Sequence, residues 1–199
     1  SMSKYLDSAN TTPAADTDWF KETTRTGLVQ NYNLSISGGS EKLSAFFSLG
    51  YYKNLGVIKY SDFERFSARV NTEFKPFGDI LTIGEHLSVN RTDEVQAPDG
   101  FIGNVLQFNP SLPVYTENVE FACPVGGYPD RENPLARLTR NKDNRYVFWR
   151  TFGDVYLNLA PFKGFNVRTT FGIDYTQKQQ RLFTYPVTEG TVSNSTNGV

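Results

Sequence analysis

From Gln30 to Val70, polar and apolar residues alternate almost one by one, in three stretches joined by a tight turn and a longer one. Tyr32, Leu34 and Ile36 alternate with Asn31, Asn33 and Ser35. Leu43, Ala45, Phe47, Leu49 and Tyr51 alternate with Ser44, Ser48 and Gly50, and Phe46 breaks the polar set. Phe66, Ala68 and Val70 alternate with Arg65, Ser67, Arg69 and Asn71. A period of two means a sheet with one oily face and one wet face. The pattern predicts strands over 29–37, 42–53, 62–75 and 79–91. It resumes over 145–160 and 164–180, with a last extended piece over 181–187. There, Val147, Trp149, Val155, Leu157 and Leu159 oppose Arg150, Asp154 and Asn158. Phe165, Val167, Phe171, Ile173 and Tyr175 oppose Asn166, Arg168, Thr170 and Asp174.

The connections are unequal. Those at 38–41, 75–78 and 160–164 are short, and 54–61 is longer. Residues 92–144 form a very long connection without sustained period. It holds Pro98, Pro110, Pro113, Pro124, Pro129 and Pro134, and enough aromatic residues to suggest an ordered, functional loop. Residues 1–28 are polar, with one helical turn predicted within Asp16–Thr23 and Asp16 or Thr17 as its N-cap. The tail 188–199 is polar as well. Long alternating strands and short turns trading places with long loops describe an antiparallel, up-and-down transmembrane β-barrel segment of the outer-membrane kind. Alternation alone fits a soluble β-sandwich or lipocalin equally; the loop lengths favour the membrane.

Composition narrows the function classes. Acidic and basic residues nearly cancel, at a net charge of -1, which argues against nucleic acid as a partner. One cysteine, Cys123, and one histidine, His86, exclude a disulfide framework and Cys- or His-rich metal sites. No apolar run is long enough for a membrane-spanning helix. Ser1-Met2, with the character of a cloning remnant, and the polar stop at Asn194–Val199 suggest a piece of a longer protein.

Several motifs run together in order: Asp18-Trp19-Phe20, the QNYNLSISGG run at 30–39, SLGY at 48–51, GVIKYSDFERF at 56–66 and TIGEHLSVNRT at 82–92. In this order they resemble the early barrel of SusC/RagA-like TonB-dependent outer-membrane transporters. The resemblance covers most of the chain and is weakest at 1–15 and 188–199. It implies uptake of oligosaccharides or peptides across the outer membrane of a Bacteroidetes-type Gram-negative bacterium. It implies partners too: a SusD-like surface lipoprotein, the protein's own plug domain and remaining strands, and TonB–ExbB–ExbD. The short turns would then face the periplasm. Residues 1–28, 54–61, 92–144 and 188–199 would face outward, with barrel strands over 29–91 and 145–187.

The same scheme assigns the two faces. Leu34, Ile36, Phe47, Leu49, Val70, Trp149, Val155, Leu157, Phe171 and Ile173 would meet lipid. Arg65, Arg69, Glu73, Arg150, Asp154, Arg168 and Asp174 would face the lumen and plug, and His86 with them. Glu85 departs from it, falling on the apolar face beside Ile83 and Leu87; a bulge, an interfacial position or a shifted register would each account for that.

No catalytic constellation is present, so no enzyme activity is expected, and no metal or cofactor. Asp93-Glu94 reads as a solvated pair, and the cluster Asp130-Arg131-Glu132-Asn133 lacks EF-hand spacing. Candidate binding chemistry lies in the long loop, where Asn109, Tyr115, Tyr128, Arg131, Asn133 and Arg137 combine rings with planar polar groups. Sugars and peptides are both held by such groups. The alternative is that the loop folds on itself or against the lipoprotein. The rival readings for the whole chain are a soluble carbohydrate-binding β-sandwich and a β-rich glycan hydrolase. The hydrolase would need a pair of carboxylates facing a cleft.

Overall fold

A computed structural model describes residues 13, 15–124, 131–189 and 192–194. Six long strands form a single antiparallel sheet in strict chain order. They are β1 (Leu28–Gly39), β2 (Leu43–Leu55), β3 (Asp62–Phe74), β4 (Leu81–Val95), β5 (Arg145–Leu159) and β6 (Val167–Arg181). Each pairs only with its neighbours in sequence, so the sheet is an up-and-down meander with open edges at β1 and β6. A two-stranded ribbon of β7 (Val187–Glu189) and β8 (Val192–Asn194) follows.

The strands overrun several of the expected bounds. The strand expected over 79–91 starts at Leu81, after a 3-10 turn at Gly78–Ile80, and continues to Val95. It continues because the ladder with β3 runs on to Val95, which pairs with Asp62 at the start of β3, although residues 91–94 are all polar. Gly78 enters that turn at φ +61°, in the left-handed region, where a side chain is strained. The strand expected from 164 starts at Val167, and residues 182–186 carry no regular structure.

Register is unbroken across the sheet and puts like with like. One row of paired positions reads Tyr32, Tyr51, Phe66, Arg91 and Trp149 from β1 to β5. Its rings form a belt: Tyr32 stacks near Tyr51 at 6.2 Å, Tyr51 meets Phe66 at 4.8 Å, and Arg91 lies 5.8 Å from the Trp149 ring. Beyond the belt the same face turns polar, with Lys53, Glu64 and Asp93 in one row. On the other side it is mainly apolar as far as Phe74, Leu81 and Leu159, interrupted by Thr72, Glu85 and Thr151. At about 3.3 Å per residue, that stretch measures about 26 Å along β3 and about 33 Å along β5. With the tilt of about 40° typical of membrane barrels, its height is about 20–25 Å, matching the apolar band of such barrels. Leu34 and Phe171 on this face are 70% and 75% exposed.

Glu85 pairs with Thr72 and Val155 on this apolar face. The continuous register leaves no bulge there. Glu85 sits one paired position from Ile83, towards the short-turn end of the band.

The described part of the long connection is folded and carries two short helices that its aperiodic sequence did not mark. It contains α2 (Phe101–Gln107) and α3 (Pro134–Asn141). Before β1 lies α1 (Trp19–Thr23), whose N-cap is Asp18, accepting from Lys21 N, in place of the expected Asp16 or Thr17. Trp19, Phe101, Val105, Phe108, Leu112, Ala122 and Leu138 pack into one buried cluster, flanked by Ile58 and Val114. This core draws on three loops at one end of the sheet: the segment before β1, the β2–β3 connection and the β4–β5 connection. The side chains it buries are on the loops, while the sheet's own apolar face stays exposed.

Candidate functional site

The sheet's polar face and the loop module are the two places where polar side chains gather. On the polar face, β5 and β6 pair Arg150 with Asp174 through two hydrogen bonds, Nε to Oδ1 at 3.0 Å and Nη2 to Oδ2 at 2.6 Å. His86 Nδ1 lies 3.2 Å from Asp154 Oδ1. Tyr156 donates to Glu73 Oε2 at 2.6 Å, two strands away. Its ring is able to lie flat across β4 because residue 84 is glycine; a Cβ there would collide with the ring. Arg168 covers the other side of that ring at 3.8 Å from its centroid. The result is a buried tyrosine on the polar face, clamped between a glycine and a guanidinium.

Arg65 and Arg69 share this face but make no ion pair among the described residues. Arg65 stands 5.7 Å from the Tyr52 ring. His86 was expected on this face, whereas the parts Tyr156 and Gly84 play in the network were not singled out by residue type. The useful signal was positional, since Gly84 and His86 share the polar parity of β4 and face Tyr156 and Asp154 in register.

In the loop module, the six residues singled out for binding fall into different roles. Asn133 is corrected outright: it is completely buried and is the N-cap of α3. Its Oδ1 accepts from Leu135 N and Ala136 N, and its Nδ2 donates to the carbonyls of Val114 and Ala122. No capacity remains for a ligand. The signal for this was Asn followed by Pro134, the pairing of an N-cap with proline in the first turn. Asn109 also works locally, its Oδ1 accepting from Ser111 N and its carbonyl from the Trp19 indole at 3.1 Å. Arg137 donates to the Asp99 carbonyl at 2.6 Å. Tyr115 is exposed and stacks on Phe121 at 5.2 Å, and Arg131 is exposed. Tyr128 lies outside the described residues. No hydrogen bond or ring contact joins the five described residues to one another.

The loops are tied together by backbone as well. Thr17 N donates to the Pro110 carbonyl at 2.8 Å and Thr17 Oγ1 to that of Leu112 at 2.7 Å. Arg25 reaches the Gly56 and Ser61 carbonyls at 3.0 and 2.7 Å, fixing the β2–β3 connection.

No protein-family profile matches the chain. Among curated proteins, it is 29% identical over 170 residues to the TonB-dependent receptor P26 of Formosa agariphila, covering 84% of this chain and 17% of that protein. It is 33% identical over 134 residues to the TonB-dependent receptor SusC of Bacteroides thetaiotaomicron, covering 67% of this chain and 13% of that protein. The chain belongs with the SusC/RagA-like TonB-dependent receptors. Among solved structures, it superposes on the RagAB peptide importer in its open-open state with a TM-score of 0.68 at 22% identity. That match covers 88% of this chain and 21% of the other, and it shows the fold. The SusC/RagA-like chain is thus an all-β barrel segment, an open antiparallel sheet of six strands with folded loops at one end. It spans between an eighth and about a fifth of these relatives.

Proposed function

We propose that this chain is part of the wall and outer rim of an outer-membrane, TonB-dependent importer of oligosaccharides or peptides. The observation that carries this reading is the bounded apolar face. It ends at an aromatic belt on one side and at the short turns on the other, and its height is that of a bilayer's apolar band. Membrane barrels place short turns on the periplasmic side and long loops outside. The module built on Trp19 then lies at the cell surface, and the expected lipid-facing and lumen-facing residues take the apolar and polar faces.

The curated relatives are receptors rather than enzymes, which supports a transport role. Tyr115 and Arg131, exposed on the module, are the described loop candidates left for contact with a ligand or with a SusD-like lipoprotein. TonB–ExbB–ExbD would act on parts of the receptor other than this sheet. A soluble carbohydrate-binding β-sandwich would close its core between two sheets, whereas the large sheet here leaves its apolar face open.

The test uses the full receptor in its own cell. Fractionation should recover it with the outer membrane, and deleting its gene should abolish uptake of one labelled oligosaccharide or peptide. Inactivating TonB should have the same effect. Recovery in a soluble fraction, or uptake independent of TonB, would remove this reading.

A further inference from the structure

One row of the polar face stands apart from the ion-paired rows nearer the short turns. It runs Asn31, Tyr52, Arg65, Thr92, Phe148 and Lys178, one residue from each strand, close to the loop module. Its cations rest on rings: Arg65 lies 5.7 Å from the Tyr52 ring, and Lys178 lies 5.3 and 5.5 Å from those of Tyr146 and Phe148. Neither cation has a carboxylate partner among the described residues, and neither does Arg69, four residues further along β3 on the same face. The pair Arg150–Asp174 shows that this wall neutralises a cation elsewhere. The nearest carboxylate above the row, Glu94, bonds to Gln96.

We infer that this row is a subsite for an extended acidic peptide on its way through the barrel, with Arg65, Arg69 and Lys178 as its carboxylate contacts. The inference rests on the importer reading and narrows its substrate. Three features favour a peptide over an acidic sugar. The ring faces that would stack on a sugar are already partly covered by cations. Arg65 and Arg69 are about 13 Å apart along β3, the distance between residues i and i+4 of any extended chain. Arg65 and Lys178 are three strands apart, about 14 Å, so a ligand crossing the wall meets a similar interval.

The experiment compares two peptides on the full receptor in detergent micelles at low salt: a Glu-containing decapeptide and the same peptide with every Glu replaced by Gln. The wild type should prefer the acidic form by about tenfold, and added salt should erode the preference. Arg65→Gln with Lys178→Gln should abolish it, and Arg65→Lys with Lys178→Arg should restore it at an unchanged melting temperature. A wild type that binds both peptides equally would overturn the inference while leaving the importer reading intact. So would a preference that survives the double variant. A double variant with a lowered melting temperature would instead assign the cations to holding another part of the receptor. Charge-selective binding of an oligouronate with no peptide binding would overturn the peptide assignment. Failure to bind any peptide or saccharide, neutral or acidic, would count against the importer reading itself.

Discussion

The sheet and the loop module handle apolar side chains in opposite ways. In the sheet, Leu34, Phe47 and Phe171 point away from the polypeptide and stay exposed. In the module, Trp19, Val105, Leu112 and Leu138 point inward and are buried. The sheet has no interior of its own, and its order comes from ladder hydrogen bonds and the medium it faces. The module has the organisation of a small soluble domain, with capped helices and a closed core. The chain therefore depends on two solvents, and a substitution should act according to which of them a residue meets.

Trp19→Ala should have the largest effect and leave the sheet alone. It empties a core position and removes the indole bond to the Asn109 carbonyl, at a cost of about 3–5 kcal/mol. Limited proteolysis of the full receptor should then cut within 96–144, while the barrel keeps its resistance to detergent. Loss of the barrel as well would mean that the two regions fold as one. Phe47→Arg tests the other side: placed mid-band on the apolar face, it should destabilise insertion by about 2–4 kcal/mol. The same change at the adjacent Ser48, on the polar face, should stay within about 0.5 kcal/mol. Folding into lipid vesicles under denaturant measures both, and equal effects would refute the assignment of faces. Tyr51→Phe is the smallest of the three expected losses, above only the near-neutral change at Ser48. It removes the hydroxyl bond to Glu64 at the belt and should cost about 1 kcal/mol in the same vesicle assay. A larger loss would show that the belt is held chiefly by that bond.

The same contrast explains what was legible in the sequence. Each of the six long strands, 12 to 15 residues in length, carries a stretch of period-two alternation, so each strand announces itself locally. The motif order QNYNLSISGG, SLGY and SDFERF then supplied the family. The module is different because its core is assembled from distant segments. Trp19 meets Phe108 edge-on at 4.8 Å across almost ninety positions, and Ile58 comes from a third loop. Helices of seven and eight residues are too short to show a period. Asn133 exposes the cost of reading by residue type: a planar amide among loop aromatics suggested a ligand, and its surroundings make it a cap. The ion pairs of the wall were visible as mixed charges, but choosing Asp174 for Arg150 required the register.

The chain has two tryptophans, and the fold gives one to each region. Trp19 is 4% exposed in the loop core, and Trp149 is 41% exposed at the belt. Brominated or spin-labelled acyl chains should quench the emission of Trp149 and spare that of Trp19. A water-soluble quencher would be held off Trp19 by its packing and would reach it only when the outer rim opens. In a full receptor whose tryptophans outside this chain are replaced, intrinsic fluorescence can thus follow the seating of the wall and the opening of the rim as separate signals.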